Sequence, residues 1–192
     1  MRIFIAIDFS FMTLEELISK HQGEYISYIQ YLFTEEWLNK RQVIIERDNH
    51  KCTNCKRGST FYIKNWGSPI KYHLWNINNT GEHAPWHIKG DNSLTLADKH
   101  YHLEVHHKKY ILNRLPWDYK NDDLTTLCNH CHTDFHNNNK VPVFSEDGLI
   151  ELEYEVCTKC NGAGHLPEYN HVENGICFQC KGERYMQPLI RR

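Results

Sequence analysis

The sequence predicts a mixed α+β fold: helices in the N-terminal region, a core of two short strands and a helix carrying clustered histidines and cysteines, and a small C-terminal module of cysteine knuckles. Three observations carry this expectation. Apolar residues recur at helical spacing after the capping box Thr13-Leu14-Glu15-Glu16. Stretches 101–110 and 124–127 alternate apolar and polar residues as strands do, and the chain after Cys128 returns to helical spacing. The eight cysteines fall into four Cys-x2-Cys pairs, Cys52/Cys55, Cys128/Cys131, Cys157/Cys160 and Cys177/Cys180, with none left over. Pairs at that spacing suit a tetrahedral metal far better than a disulfide framework.

A chain of 192 residues can bury one substantial core, so one domain with a small appendage is the natural expectation. The division read here is a helical region at 1–50, a core at 51–140 with an insertion at 56–100, and a C-terminal module at 150–192. The formal net charge of −2 does not describe a protein that coats nucleic acid by bulk charge. Contact with nucleic acid must then come from local basic groups. Lys51, Lys56 and Arg57 lie beside the first knuckle, and Lys108, Lys109, Arg114 and Lys120 follow the histidine pair. The apolar run Ile3 to Ile7 meets Asp8 at once and is too short for a signal segment. No run approaches membrane-spanning length. Thiolates held on zinc fit a reducing compartment, so a cytoplasmic protein is expected.

Taken in order, Thr13 and Glu16 can satisfy helix N–H groups reciprocally, and Leu14, Leu17, Ile18, Tyr25, Ile29 and Leu32 then suggest one amphipathic helix weakened at Gly23. Thr34-Glu35-Glu36 opens a second helix through Trp37, Leu38, Arg41, Ile44 and Ile45, which delivers the first knuckle. The insertion is rich in Asn, Gly, His and Trp. Its aromatic residues (Tyr62, Trp66, Tyr72, Trp75, Trp86) argue for packing rather than disorder. Tyr62-Ile63 and 94–96 are candidate strands, and His73, His83 and His87 read as surface or core residues. Ser145-Glu146-Asp147-Gly148 reads as a turn, and 151–156 as a strand leading into the C-terminal module.

The chemistry concentrates in 103–136. His106 and His107 are adjacent on a strand and must point to opposite faces. His132 and His136 are spaced i, i+4 on a helix and share a face. One histidine of the pair can join them as a third metal ligand, leaving its neighbour free for other work.

This order of parts resembles the HNH nuclease family, the ββα-metal fold, over residues 37–138. The resemblance rests on V-H-H closing a strand, L-T-T-L-C opening a knuckle and C-H-x3-H on the helix. It implies that His106, His132 and His136 hold one divalent cation (Mg2+, Mn2+, Ni2+ or Zn2+) and that His107 is the general base for a water attacking phosphorus. Asp123 stands where the family's middle Asn is expected, and Asn121 is the nearest asparagine. Either would orient His107 or pin the loop. The family also often carries a four-cysteine zinc, here Cys52, Cys55, Cys128 and Cys131, which would staple a small core otherwise poor in apolar surface. Cys157-Thr-Lys-Cys160-Asn-Gly-Ala-Gly164 resembles a repeat of a DnaJ-type zinc domain. Cys177-Phe-Gln-Cys180-Lys-Gly182 repeats it, with Arg184 at the second glycine position. Together these two knuckles make a second closed, structural zinc site.

The function expected from this resemblance is metal-dependent hydrolysis of phosphodiester bonds in DNA, with RNA a possible substrate, by a protein holding two structural Zn2+ ions. A catalytically silent zinc protein that binds nucleic acid or acts as an adaptor is the alternative. A thiol redox protein explains the cysteines but not the histidines. The closed C-terminal site is expected to bind DNA or a partner rather than to join the chemistry. Oligomeric state is not legible in these motifs.

Overall fold

In the computed structural model, which describes residues 12–64, 71–76 and 94–191, helix α1 (Leu14–His21) starts at the capping box the sequence announces. Thr13 Oγ1 accepts the Glu16 N–H at 3.2 Å, and Glu16 Oε2 accepts the Thr13 N–H at 2.8 Å. The expected continuation to Leu32 does not form as one helix. Gln22 (φ 47°) and Gly23 (φ 87°) turn left-handed and end α1, and a short helix α2 (Tyr28–Tyr31) follows. Thr34 then caps α3 (Glu35–Arg47). Its end is tied to the core by Asp48, whose Oδ2 accepts the Thr126 N–H at 2.9 Å.

The insertion contributes an antiparallel sheet of β1 (Phe61–Lys64), β2 (Lys71–Asn76) and β3 (Leu94–Leu96), in that order. Its first and third strands coincide with the two sequence candidates; β2 was not singled out. The readings placed on residues 1–11, on Trp66-Gly67-Ser68-Pro69 and on His83, Trp86 and His87 lie outside the described residues.

The core opens with β4 (Leu103–His107) and continues through β5 (Tyr110–Ile111) to β6 (Leu124–Cys128) and helix α4 (Asn129–Asn138). Strands β4 and β6 pair antiparallel, Leu103 opposite Cys128 and His107 opposite Leu124. Strand pleating therefore sends His106 toward α4 and His107 toward α3. A second small sheet joins β5 in parallel to β7 (Val143–Phe144), which pairs antiparallel with β8 (Glu151–Leu152). The expected turn links β7 to β8, with the Gly148 N–H donating to Ser145 O at 2.8 Å and Gly148 at φ 75°.

One buried cluster draws on all three stretches of sequence. It contains Leu17, Tyr28 and Tyr31 from the helices, Tyr110, Leu115 and Val143 from the core, and Tyr154, Tyr185, Leu189 and Ile190 from beyond residue 150. Directed bonds reinforce the joint: the Tyr28 N–H donates to Glu183 Oε1 at 2.7 Å, and Tyr185 Oη donates to Val141 O. The C-terminal knuckles thus pack as part of the body. Among the described residues, no helix is long and apolar enough to cross a membrane.

Candidate metal centre

Each expected set of four cysteines comes together. The ligand atoms of Cys52, Cys55, Cys128 and Cys131 lie within 4.8 Å of one another, as do those of Cys157, Cys160, Cys177 and Cys180. All eight are free thiols. Sγ of Cys55 is 3.7 Å from that of Cys128, and the Cys157–Cys177 and Cys160–Cys180 separations are 3.8 and 3.7 Å. A Zn–S bond of about 2.3 Å places tetrahedral sulfurs about 3.8 Å apart, so both sets match the donor geometry of zinc. Backbone N–H groups turn toward sulfur as well, Cys55 to Cys52 and Cys131 to Cys128 at 3.4 Å, Gly164 to Cys160 at 3.2 Å. Although burial acts to raise the Cys52 thiol, backbone N–H groups outweigh it and bring its pKa down to about 7.

The third cluster is His106, His132 and His136, again with donor atoms within 4.8 Å. Strand β4 supplies the first and α4 the other two, one turn apart. Nε2 of His132 and His136 are 3.2 Å apart. A carboxylate orients one of these rings. On His132, Nδ1 bonds the acceptor Glu104 Oε2, so Nδ1 carries a proton and Nε2 is the nitrogen that faces His136. On His136, the Nδ1 edge lies beside Gly162 of the first C-terminal knuckle. His106 Nε2 is buried and has no hydrogen-bond partner. Burial first, then the neighbouring histidines, lower the pKa of His106 to about 2 and of His136 to about 3. Near pH 7 both are neutral, the form that ligates metal. Three converging ring nitrogens, one of them buried without a partner, form a donor set that could hold a cation.

Glu104 was not singled out in the sequence, yet it organises this face. Its Oε1 accepts from His102 Nε2 at 2.6 Å while its Oε2 holds His132. Burial acts to raise the carboxyl pKa, but these two bonds overcome it and hold the group well below the usual carboxylate range. The signal available in sequence was its place two residues before His106, on the same strand face.

His107 lies on the opposite face and is only 3% exposed. Its ring stacks on Trp37 (centroids 5.1 Å apart, planes at 17°) and on Tyr110, with the edge of Tyr119 at 4.7 Å. Nε2 bonds Pro116 O at 3.0 Å. Burial lowers its pKa to about 3. Of the two roles offered for Asp123 and Asn121, orienting His107 finds no contact, and pinning the loop does. Asp123 Oδ1 pairs with Lys109 at 2.9 Å, and Asn121 Oδ1 accepts from Lys40 at 2.8 Å. The Pro116 carbonyl orients His107 instead.

A cleft of about 540 Å³ runs past His132 and His136, between Arg41 on α3 and Lys159 and Arg184 of the C-terminal knuckles. Lys108, Lys109, Arg114 and Lys120 do not line it. Lys108 bonds Asp122 O, and Arg114 lies over the Tyr119 ring. The cations facing the histidine site come from elements distant in sequence, which is why local clustering pointed elsewhere.

Fold and site together define a mixed α+β protein with two four-cysteine clusters that could hold zinc and a three-histidine cluster beside a cation-lined cleft. Compared with protein-family models, curated proteins and solved structures, the chain gives no match.

Proposed function

We propose that this protein is a metal-dependent endonuclease of the HNH type, hydrolysing phosphodiester bonds in DNA. The observation that carries the reading is the convergence of His106, His132 and His136 at the end of a strand–strand–helix unit with four cysteines gathered beside it. His132 and His136 open onto the cleft, so the site is not a closed shell of the structural kind. A divalent cation held there would activate water and stabilise charge on a phosphoryl oxygen. Glu104 bonds His132 Nδ1, so that ring is oriented before a ligand arrives. Arg41, Lys159 and Arg184 make the cleft attractive to a polyanion despite the chain's slight net negative charge.

The reading stands on the three-histidine site rather than on His107. That imidazole is packed against Trp37 and bonded to Pro116 O, so its part in this arrangement is to anchor the end of β4. The same observation favours a second reading, a zinc protein that binds nucleic acid without cutting it. Supercoiled plasmid incubated with purified protein and Mg2+, Mn2+, Ni2+ or Zn2+, with and without EDTA, decides between them. Metal-dependent nicking that is lost in His106→Ala supports the nuclease. Binding without nicking under every metal supports the second reading.

A further inference from the structure

Arg184 occupies an unusual place. In the first C-terminal knuckle the second glycine, Gly164, has φ 74°; in the second knuckle Arg184 takes the same left-handed conformation at φ 73°. An arginine adopts that backbone at a cost a glycine avoids, which directs attention to its side chain. The side chain is 93% buried by its 7% exposure, and it forms part of the cleft wall that also carries His132 and His136. Nη1 donates to Ala163 O at 2.7 Å and to Gly162 O at 3.3 Å. The guanidinium carbon sits 5.5 Å from the Tyr28 ring centre and 5.8 Å from that of Tyr110. Nε is buried with no hydrogen-bond partner. Among the described residues, no carboxylate lies within ion-pair distance of it.

A guanidinium taken out of water is costly unless an anion neutralises it and its N–H groups are bonded. Here carbonyls and tyrosine faces satisfy part of that demand, Glu183 and Cys160 act on the charge from nearby, and Nε is left with no partner beside the cleft. We infer that Arg184 is the anion-binding residue of the histidine cleft, supplied by the second cysteine knuckle to hold a phosphate group against His132 and His136. Arg41, which also lines the cleft, is committed through Nη2 to Leu103 O at 3.0 Å and feels the Glu104 charge, so it is the less available cation. The planar fork of arginine suits two phosphate oxygens at once. This inference rests on the nuclease reading for its substrate, and it gives the C-terminal module a part in the site.

Titration of the full, metal-loaded protein with inorganic phosphate by calorimetry tests it. Arg184→Met is expected to weaken phosphate binding about 10- to 100-fold, the range for losing a charge-assisted contact, with Arg184→Lys recovering part of it. Metal content and melting temperature measured alongside separate a binding role from a structural one. Unchanged phosphate affinity in a folded Arg184→Met protein overturns the inference, as does failure of the wild-type protein to bind phosphate at tens of millimolar. Should the variants not fold, the wild-type Arg184 Nε–H resonance decides: saturating phosphate must shift it, and an unmoved signal rejects the proposal. Phosphate binding through Arg184 without DNA cleavage would remove the nuclease reading and leave this inference standing. Cleavage with kcat and KM indifferent to Arg184→Met would do the reverse.

Discussion

Nε2 of His132 lies 3.2 Å from Nε2 of His136, with Glu104 holding a proton on the far side of the His132 ring. That spacing suits two donors sharing one cation as well as a direct hydrogen bond between the rings. Metal–nitrogen bonds of about 2.0–2.1 Å meeting at a near-tetrahedral angle place nitrogens about 3.3 Å apart. His106→Ala removes one of the three ligands and is expected to weaken cation binding by at least tenfold while both cysteine sites stay loaded. Calorimetric titration of Mn2+ or Ni2+ into zinc-replete protein measures this; unchanged affinity would place the ion elsewhere.

Glu104→Gln is expected to lower affinity at the same site by about 10- to 100-fold, the usual effect of losing a carboxylate behind a ligating histidine. The amide can no longer supply the negative charge that fixes the His132 proton on Nδ1. The same titration reads it, and an affinity equal to wild type would show that the Glu104–His132 bond does not tune the site.

Cysteine ligation predicts two zinc ions per chain by elemental analysis after mild chelation has cleared the histidine site. Cys52→Ser and Cys157→Ser should each remove one ion and lower the melting temperature, because both thiols are fully buried within their clusters. Retention of two ions in either variant would contradict the assignment of that set.

His107 predicts an acid dependence of stability. Its folded pKa of about 3 lies below the unfolded value of 6.5, so the native state binds fewer protons between those limits. The stability it contributes is complete above pH 6.5 and is lost as pH falls toward 3, by several kcal/mol in all. His107→Phe keeps the stacking volume and removes the titration. Urea midpoints from pH 6.5 to 4 should then fall less steeply with acid, by close to one proton's worth of slope, and nicking should stay within about tenfold of wild type. A rate loss of 10²–10⁴ in a folded, metal-loaded variant would instead make His107 the base.

Truncation after Ser145 tests whether the C-terminal site stands apart from the core, and the packing predicts that it does not. It would strip Tyr154, Tyr185, Leu189 and Ile190 from the shared cluster. At roughly 1.5–3 kcal/mol for each buried side chain, the loss rivals the whole stability of a typical domain. Far- and near-ultraviolet circular dichroism should show a poorly packed protein with weakened binding at His136. A cooperatively folded, metal-competent fragment would refute this.

The three clusters were legible in the sequence because their geometry is local. Spacing i, i+4 puts His132 and His136 on one helix face, two intervening residues let each cysteine pair grip one metal, and strand pleating separates His106 from His107. The α+β class and the start of α1 followed from equally short-range signals. The rest was decided by contacts between residues far apart in the chain. Nothing local in the sequence announces that Pro116 O would capture His107, or that Tyr28 would bond Glu183 across a separation of 155 residues. The entry of Arg184 into the cleft depends on that same docking. Packing of one buried cluster selects these partners, and it depends on how whole elements fit together rather than on the spacing of residues within any one of them.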